Sequence, residues 1–243
     1  NNNIRLCTIC NEINTLESHK ENELKEFIES FNIITEKRRF DKKEIDIYIP
    51  DMNIGFEFNG VYWHSTEYKD KNYHLNKTEY FKSIGIRTIH IWEDDWDNKK
   101  DIIKSQIKNL LNLSKGIGAR KCDIREVTNS EANKFYNNNH IQGSYNGIKK
   151  SIGLYYKEEL VCLMSFDNFE GRIKMDNNSW NLSRYCSKLN HNIQGGASKI
   201  LKYFTKNYKP ERIISYADND WSEGGLYKKL GFKEINKSKP EIG

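Results

Sequence analysis

Two consecutive α/β domains are what this sequence predicts, and three observations carry the prediction. Residues 44–49 (Glu-Ile-Asp-Ile-Tyr-Ile) and 54–59 (Ile-Gly-Phe-Glu-Phe-Asn) alternate apolar and polar side chains, as half-buried strands do, between stretches of helical periodicity. A Ser-Lys-Gly-Ile-Gly segment at 114–118 has the composition of a linker. Beyond it the alternation of strand and helix patterns restarts, in a chain whose 243 residues suffice for two cores.

Taken in order, residues 1–17 read as a half zinc knuckle or a linker. From Ser18 to Phe31 the apolar positions Leu24, Phe27, Ile28 and Phe31 follow helical spacing, opened by a Ser18-x-x-Glu21 capping box. The strands 44–49 and 54–59 flank Pro50-Asp51-Met52-Asn53, which has turn chemistry. A helix over 73–83 ends at Gly85, a strand covers 86–92, and an amphipathic helix spans 100–113. This first domain is bounded at 18–115. The second, 120–243, is expected to hold a hairpin at 151–166, a strand at 180–185, a helix at 197–207 and a strand at 212–217.

Composition narrows the function classes. No long apolar stretch suggests a membrane span or a secretion signal, so a soluble cytoplasmic protein is expected. The formal charge of +5 permits nucleic-acid binding through a local basic surface without demanding it. Five scattered cysteines fit a reduced compartment better than a disulfide framework. Only Cys7-x-x-Cys10 has metal-ligand spacing, and a zinc ion there would need ligands outside this chain. The alternative is two ordinary cysteines.

The two central strands place the chemistry. If Ile49 pairs with Ile54 across the turn, pairing continues 48/55, 47/56 and 46/57, which sets Asp46 opposite Glu57 with side-chain bases roughly 5 Å apart. Ile45, Ile47, Ile49, Ile54, Phe56 and Phe58 then fill the other face. Opposed carboxylates repel unless a cation lies between them, and Mg²⁺ (or Mn²⁺) suits one or two carboxylates while keeping water positions. The alternative is a pair of solvated residues on an outer face. Glu21 sits on the apolar stripe of its helix, an odd place for a carboxylate unless it turns toward a site. His64, a few residues past Glu57, is placed to serve as general base or proton shuttle.

Asp46-Ile-Tyr-Ile-Pro50, Glu57-Phe-Asn-Gly-Val-Tyr-Trp-His64 and Ile91-Trp-Glu-Asp-Asp-Trp96 together resemble the very short patch repair endonuclease branch of the PD-(D/E)XK nucleases, and most of all the Hef-like homing endonucleases of phages. The resemblance covers roughly residues 18–113. It implies a restriction-endonuclease-like fold, Mg²⁺-dependent hydrolysis of double-stranded DNA, and a phage-encoded protein acting in a bacterial host. It also implies Asp46 as main metal ligand, Glu57 as the motif carboxylate, Glu21 as the helix carboxylate and His64 as the catalytic histidine. Two positions depart from the pattern. Asn59 stands where the motif has lysine, so His64 or Lys77 must substitute, and His74 stands where the repair enzymes carry an aspartate that orients the catalytic histidine. The repair enzymes' zinc cysteines are missing around Val61.

Basic and aromatic residues near these strands, Arg38, Arg39, Lys42, Lys43, Trp63 and Lys71, are the candidate DNA contacts, with an ordinary solvated loop as the alternative. In the second domain, a strand followed by Asn192-Ile-Gln-Gly-Gly-Ala197 at the start of a helix, and Leu226-Tyr-Lys-Lys-Leu-Gly-Phe232 near the end, resemble the GNAT acyltransferase fold. The resemblance covers about residues 122–235. It makes Gln194, Gly195, Gly196 and Ala197 a candidate phosphate or CoA loop at a helix N-terminus. Asn192 occupies the usual Gln/Arg position, and beyond Asp218 and Tyr227 no general base stands out. Acetyl-CoA is therefore not the expected cofactor, and a GNAT-like accessory shell is the expected role. The functional alternatives are a mismatch-directed nickase, or an acyltransferase or nucleic-acid-modifying enzyme with a non-cleaving DNA-binding first domain.

Overall fold

A computed structural model describes residues 19–41, 43–60, 73–170, 173–175, 178–217, 221 and 224–235. The fold is α/β. Its contacts divide the chain into two compact units, one built up to Trp96 and the other from Asp97 onward. Among the described residues no helix is long and apolar enough to cross a membrane.

The first unit runs α1 (His19–Glu29), β1 (Glu36–Phe40), β2 (Lys43–Ile49), β3 (Ile54–Asn59), α2 (Tyr73–Ser83), β4 (Arg87–Trp92) and the start of α3 (Glu93–Leu110). Its sheet has the order β1-β2-β3-β4. The β1/β2 and β2/β3 pairs are antiparallel, whereas β3/β4 is parallel, so α2 lies on the crossover between them. α1 buries Leu24 and Ile28. α2 stops at Gly85, whose φ of 80° an L-residue rarely adopts. Strand β1 was not expected. It is an edge strand with four of its five residues exposed, so the burial that writes alternation into a sequence is missing there.

The second unit contains β5 (Lys115–Gly118), β6 (Asp123–Glu126), α4 (Asn129–Asn139), β7 (Lys150–Tyr156), β8 (Glu159–Asp167), β9 (Phe169–Glu170), β10 (Ile173–Lys174), β11 (Ser179–Ser187), β12 (His191–Gln194), α5 (Gly196–Tyr208), β13 (Arg212–Ser215) and α6 (Gly225–Lys229). The main sheet has the order β13-β11-β8-β7-β6, with only β11/β13 parallel. α5 packs Ile200, Leu201 and Phe204 onto this sheet, and the Phe204 ring stacks on Phe166 at 3.6 Å between centroids. Burying each such side chain contributes about 1.5–3 kcal/mol.

Residues 114–118, expected to be a linker, are a correction. Lys115–Gly118 forms β5, which pairs in parallel with β12. Two glycines gave the segment linker composition, but its conformation is set by a partner far along the chain. Helix α4 was also missed, because its asparagines hide the helical spacing of Ala132, Phe135 and Tyr136, all buried.

Candidate metal centre

The hairpin register is the expected one at 49/54, 48/55 and 47/56. The turn is closed by Asn53 in the left-handed region, whose Oδ1 accepts a hydrogen bond from the Tyr48 hydroxyl at 2.7 Å. Beyond 47/56 the strands separate, and the Phe58 N–H donates instead to Asp46 Oδ2 at 2.9 Å. The cause lies on the other side of β2. Glu36 pairs with Tyr48 but Arg38 with Ile45, so β2 carries one extra residue, a β-bulge around Asp46. The bulge corrects one expectation. Ile45 leaves the face of Ile47 and Ile49 and joins Tyr48, Phe81 and Ile86 in one cluster. Ile45 lies directly over Gly55, where a Cβ would come within 2.8 Å of its Cδ1. Phe58, expected on the hairpin face of Ile54 and Phe56, is half-buried and meets Trp96 edge-on.

Asp46 and Glu57 are thereby brought together in a buried setting. Burial pushes the Asp46 carboxyl up, opposed by the Phe58 N–H, Lys77 and Lys37. Glu57 is 4% exposed. Burial first, and then the charge of Asp46, push its pKa up to about 8, with Lys77 opposing. Its Oε2 accepts a hydrogen bond from Lys77 Nζ, while Oε1 is buried with no hydrogen-bond partner. Lys77 comes from the sheet-facing side of α2, which also presents His74, Thr78 and Phe81 at helical spacing. A lysine on a buried helical stripe was the signal for this position.

Glu21 lies close enough to raise Glu57 further, yet its own carboxylate pairs with Lys37 at 3.9 Å, and Lys37 also reaches Glu44 at 3.6 Å. Among the described residues no three His, Cys, Asp or Glu side chains are arranged to hold a metal ion. Glu21 thus stands near the carboxylate pair with Lys37 as one partner. The donor set of Asp46 and Glu57 still fits a hard divalent cation. All its atoms are oxygens, one buried oxygen is unpartnered, and a buried and a half-buried carboxylate share one lysine.

His90 was missed by the sequence reading. The β3/β4 register places it directly beside Glu57, and it is 4% exposed. Alternation in 86–92 could have found it, since Thr88, His90 and Trp92 share the face opposite Ile89 and Ile91. His90 Nδ1 lies 3.2 Å from Asn59 Nδ2, and Nε2 lies 2.7 Å from Thr78 Oγ1. His74 packs edge-on against His90 and Trp92.

The basic residues of β1 and β2 are occupied to different degrees. Arg38 bonds Glu36 and lies over the Phe40 and Tyr48 rings. Lys43 donates to the Asn76 carbonyl at 2.6 Å and lies over Tyr80. Arg39 pairs with Glu44 at 3.5 Å but leaves 70% of its side chain exposed. Cys7, Cys10, Lys42, Trp63, His64, Lys71 and Asp218 lie outside the described residues.

In the second unit Gln194 ends β12, Gly195 caps α5 with φ 77°, and Gly196 and Ala197 are buried in its first turn. They line a cleft of about 540 Å³ together with Gln106, Asn109, Tyr185 and Lys229. The backbone of 191–194 is already engaged by β5, and Tyr227 donates its hydroxyl to the Tyr216 carbonyl at 3.2 Å. His140 is a turn residue: its Nδ1 accepts from the Gln142 N–H, and burial lowers its pKa to about 4.

No protein-family model matches the chain. No curated protein matches it. Solved structures similar to it include the catalytic domain of the homing endonuclease I-Bth0305I, at 26% identity over 40% of this chain and 98% of that one, with a TM-score of 0.33. A GNAT-family acetyltransferase from Streptococcus pneumoniae is 14% identical over 46% of this chain and 87% of its own, with a TM-score of 0.36. A transcriptional regulator from Bacillus halodurans is 14% identical over 49% and 98%, with a TM-score of 0.38.

Proposed function

We propose that this chain is a divalent-metal-dependent endonuclease of double-stranded DNA, of the homing type, centred on Asp46, Glu57 and Lys77. The observation that carries the reading is the buried Glu57 beside the half-buried Asp46 on the adjacent strand, with Lys77 acting on both and Glu57 Oε1 unpartnered. A buried carboxylate with an idle oxygen costs stability, and such groups cluster where function needs them.

Asp46 and Glu57 would hold Mg²⁺ or Mn²⁺, which when bound supplies Lewis-acid stabilisation and a more acidic water. The Phe58 N–H fixes the Asp46 carboxylate and leaves its other oxygen for the ion. Lys77 supplies the positive charge that Asn59 cannot, at the edge of the carboxylate pair where a phosphate or an attacking water would lie. His64 is the candidate proton acceptor on the strength of the sequence resemblance. Arg38, Arg39 and Lys43 stand on strands of the same sheet, and Arg39 is best exposed to meet a phosphate.

The test is incubation of supercoiled and linear DNA with Mg²⁺. Wild type should cut, with nicked and linear products separating a nickase from a double-strand cutter. Asp46→Ala should abolish the reaction; unchanged cleavage in that variant would overturn the reading. The cleft at Gly195–Ala197 favours a second reading, an acyltransferase or nucleic-acid-modifying enzyme using CoA. Calorimetry with acetyl-CoA decides it, since binding lost on a bulky substitution at Gly195 would promote it.

A further inference from the structure

We propose that Asn59, His90 and Thr78 form a clamp that docks the first turns of α2 on the sheet and so aims Lys77 at Glu57; the proposal rests on the site reading above. The inner face of α2 has two halves. Toward its C-terminal end Phe81 is fully buried against Ile45, Tyr48 and Ile86. Toward its N-terminal end the inward positions are His74, Lys77 and Thr78: Lys77 meets Glu57, His74 and Thr78 meet His90, and His90 in turn meets Asn59. Apolar packing places a helix to within a sliding motion, whereas a directed hydrogen-bond chain fixes its register.

One assignment of protons satisfies every link of that chain. Thr78 Oγ1 donates its one proton to the His74 carbonyl at 2.9 Å, so toward His90 it is an acceptor. In this assignment His90 carries its proton on Nε2 and donates it to Thr78 Oγ1 across 2.7 Å. Nδ1 is then an acceptor, and the Asn59 amide presents its Nδ2 donor at 3.2 Å. Asn59 and His90 are both buried, so the contact between them is shielded from competing water, and that with Thr78 is partly so.

Lys77 is the residue next to Thr78 and has four methylenes between backbone and charge. Left to itself such a side chain samples many rotamers, and its Nζ reaches Glu57 only if the helix is held at one height. The asparagine at the motif's lysine position thus acts as a positioning residue: the lysine is carried by the helix, and the strand position anchors the helix.

Two measurements test this. The first is protection of Lys77 from an amine-acetylating reagent in EDTA, read by mass spectrometry on the full chain. Lys77 is 8% exposed, so wild type should be slow to react. Thr78→Val, which keeps shape and removes the hydroxyl, should raise the modification rate about 10-fold or more, and Thr78→Ser should restore protection. Asn59→Ala serves as the second variant if Thr78→Val does not fold. The second measurement is single-turnover cleavage at saturating Mg²⁺. Thr78→Val should slow it about 10- to 100-fold in the wild-type background but no more than about 2-fold in Lys77→Met, because a positioning residue has nothing left to position. Equal losses in both backgrounds, or a Lys77 still protected in Thr78→Val, would overturn the clamp. If wild type cuts no DNA the nuclease reading fails, while the acetylation result still judges the clamp.

Discussion

Replacing Glu57 by glutamine keeps the shape of the side chain and an acceptor for Lys77 while removing its titration. In the folded chain burial and Asp46 hold the Glu57 proton up to about pH 8, against an ordinary value of 4.5. Below pH 4.5 folded and unfolded chains both hold the proton, and this group makes no difference. Between 4.5 and 8 only the folded chain holds it, so unfolding releases a proton and stability falls as pH rises. At about 1.4 kcal/mol per pKa unit the full loss is up to about 5 kcal/mol above pH 8, shared with Asp46 because the two carboxylates titrate together. Urea unfolding in EDTA from pH 4.5 to 9 measures it. The Glu57→Gln variant should gain on wild type steadily across that range. At pH 8.5, Mg²⁺ at about 100 times its Kd should return about 2.7 kcal/mol to wild type and far less to the variant. A wild-type-minus-variant difference that moves by less than about 1 kcal/mol over the range would refute the claim that Glu57 is buried beside a second charge.

Three further outcomes follow from the same geometry. Asp46→Asn should lower Mg²⁺-dependent cleavage by about 10³-fold or more while retaining an acceptor for the Phe58 N–H, so the thermal midpoint in EDTA should not fall. Gly55→Ala forces its Cβ to within 2.8 Å of Ile45 Cδ1, and the displaced Ile45 should cost about 1–3 kcal/mol in urea unfolding and disturb the neighbouring Asp46 enough to weaken Mg²⁺ affinity. Arg39→Ala, at a largely exposed side chain, should weaken DNA binding similarly on all sequences and reduce the slope of log K against log salt by about 1 in a filter-binding series.

What the sequence by itself determined is local. Alternation in 44–49 and 54–59 with turn residues between them was enough to place the hairpin and its register at 47/56 to 49/54, because a period of two and a short turn leave few other pairings. Glycine at 85 marked the end of α2 for the same reason, a backbone angle that few other residues accept. Tertiary structure decided everything that depends on a distant neighbour. The bulge that turns Ile45 away from Ile47 exists only because β1 pairs with β2, and β1 is too exposed to announce itself. Strand β5 passed for a linker because its pairing with β12 lies far along the chain. That Asp46 and Glu57 lie near one another was legible in the hairpin, whereas the end of the pairing at 47/56 was not. Lys77 was a candidate from the sequence, but its pairing with Glu57 and the Asn59–His90–Thr78 chain were not legible, since a crossover helix brings them there. A side chain's type is written in the sequence, but its charge state and partner depend on which elements pack over it, and burial is a property of the whole unit.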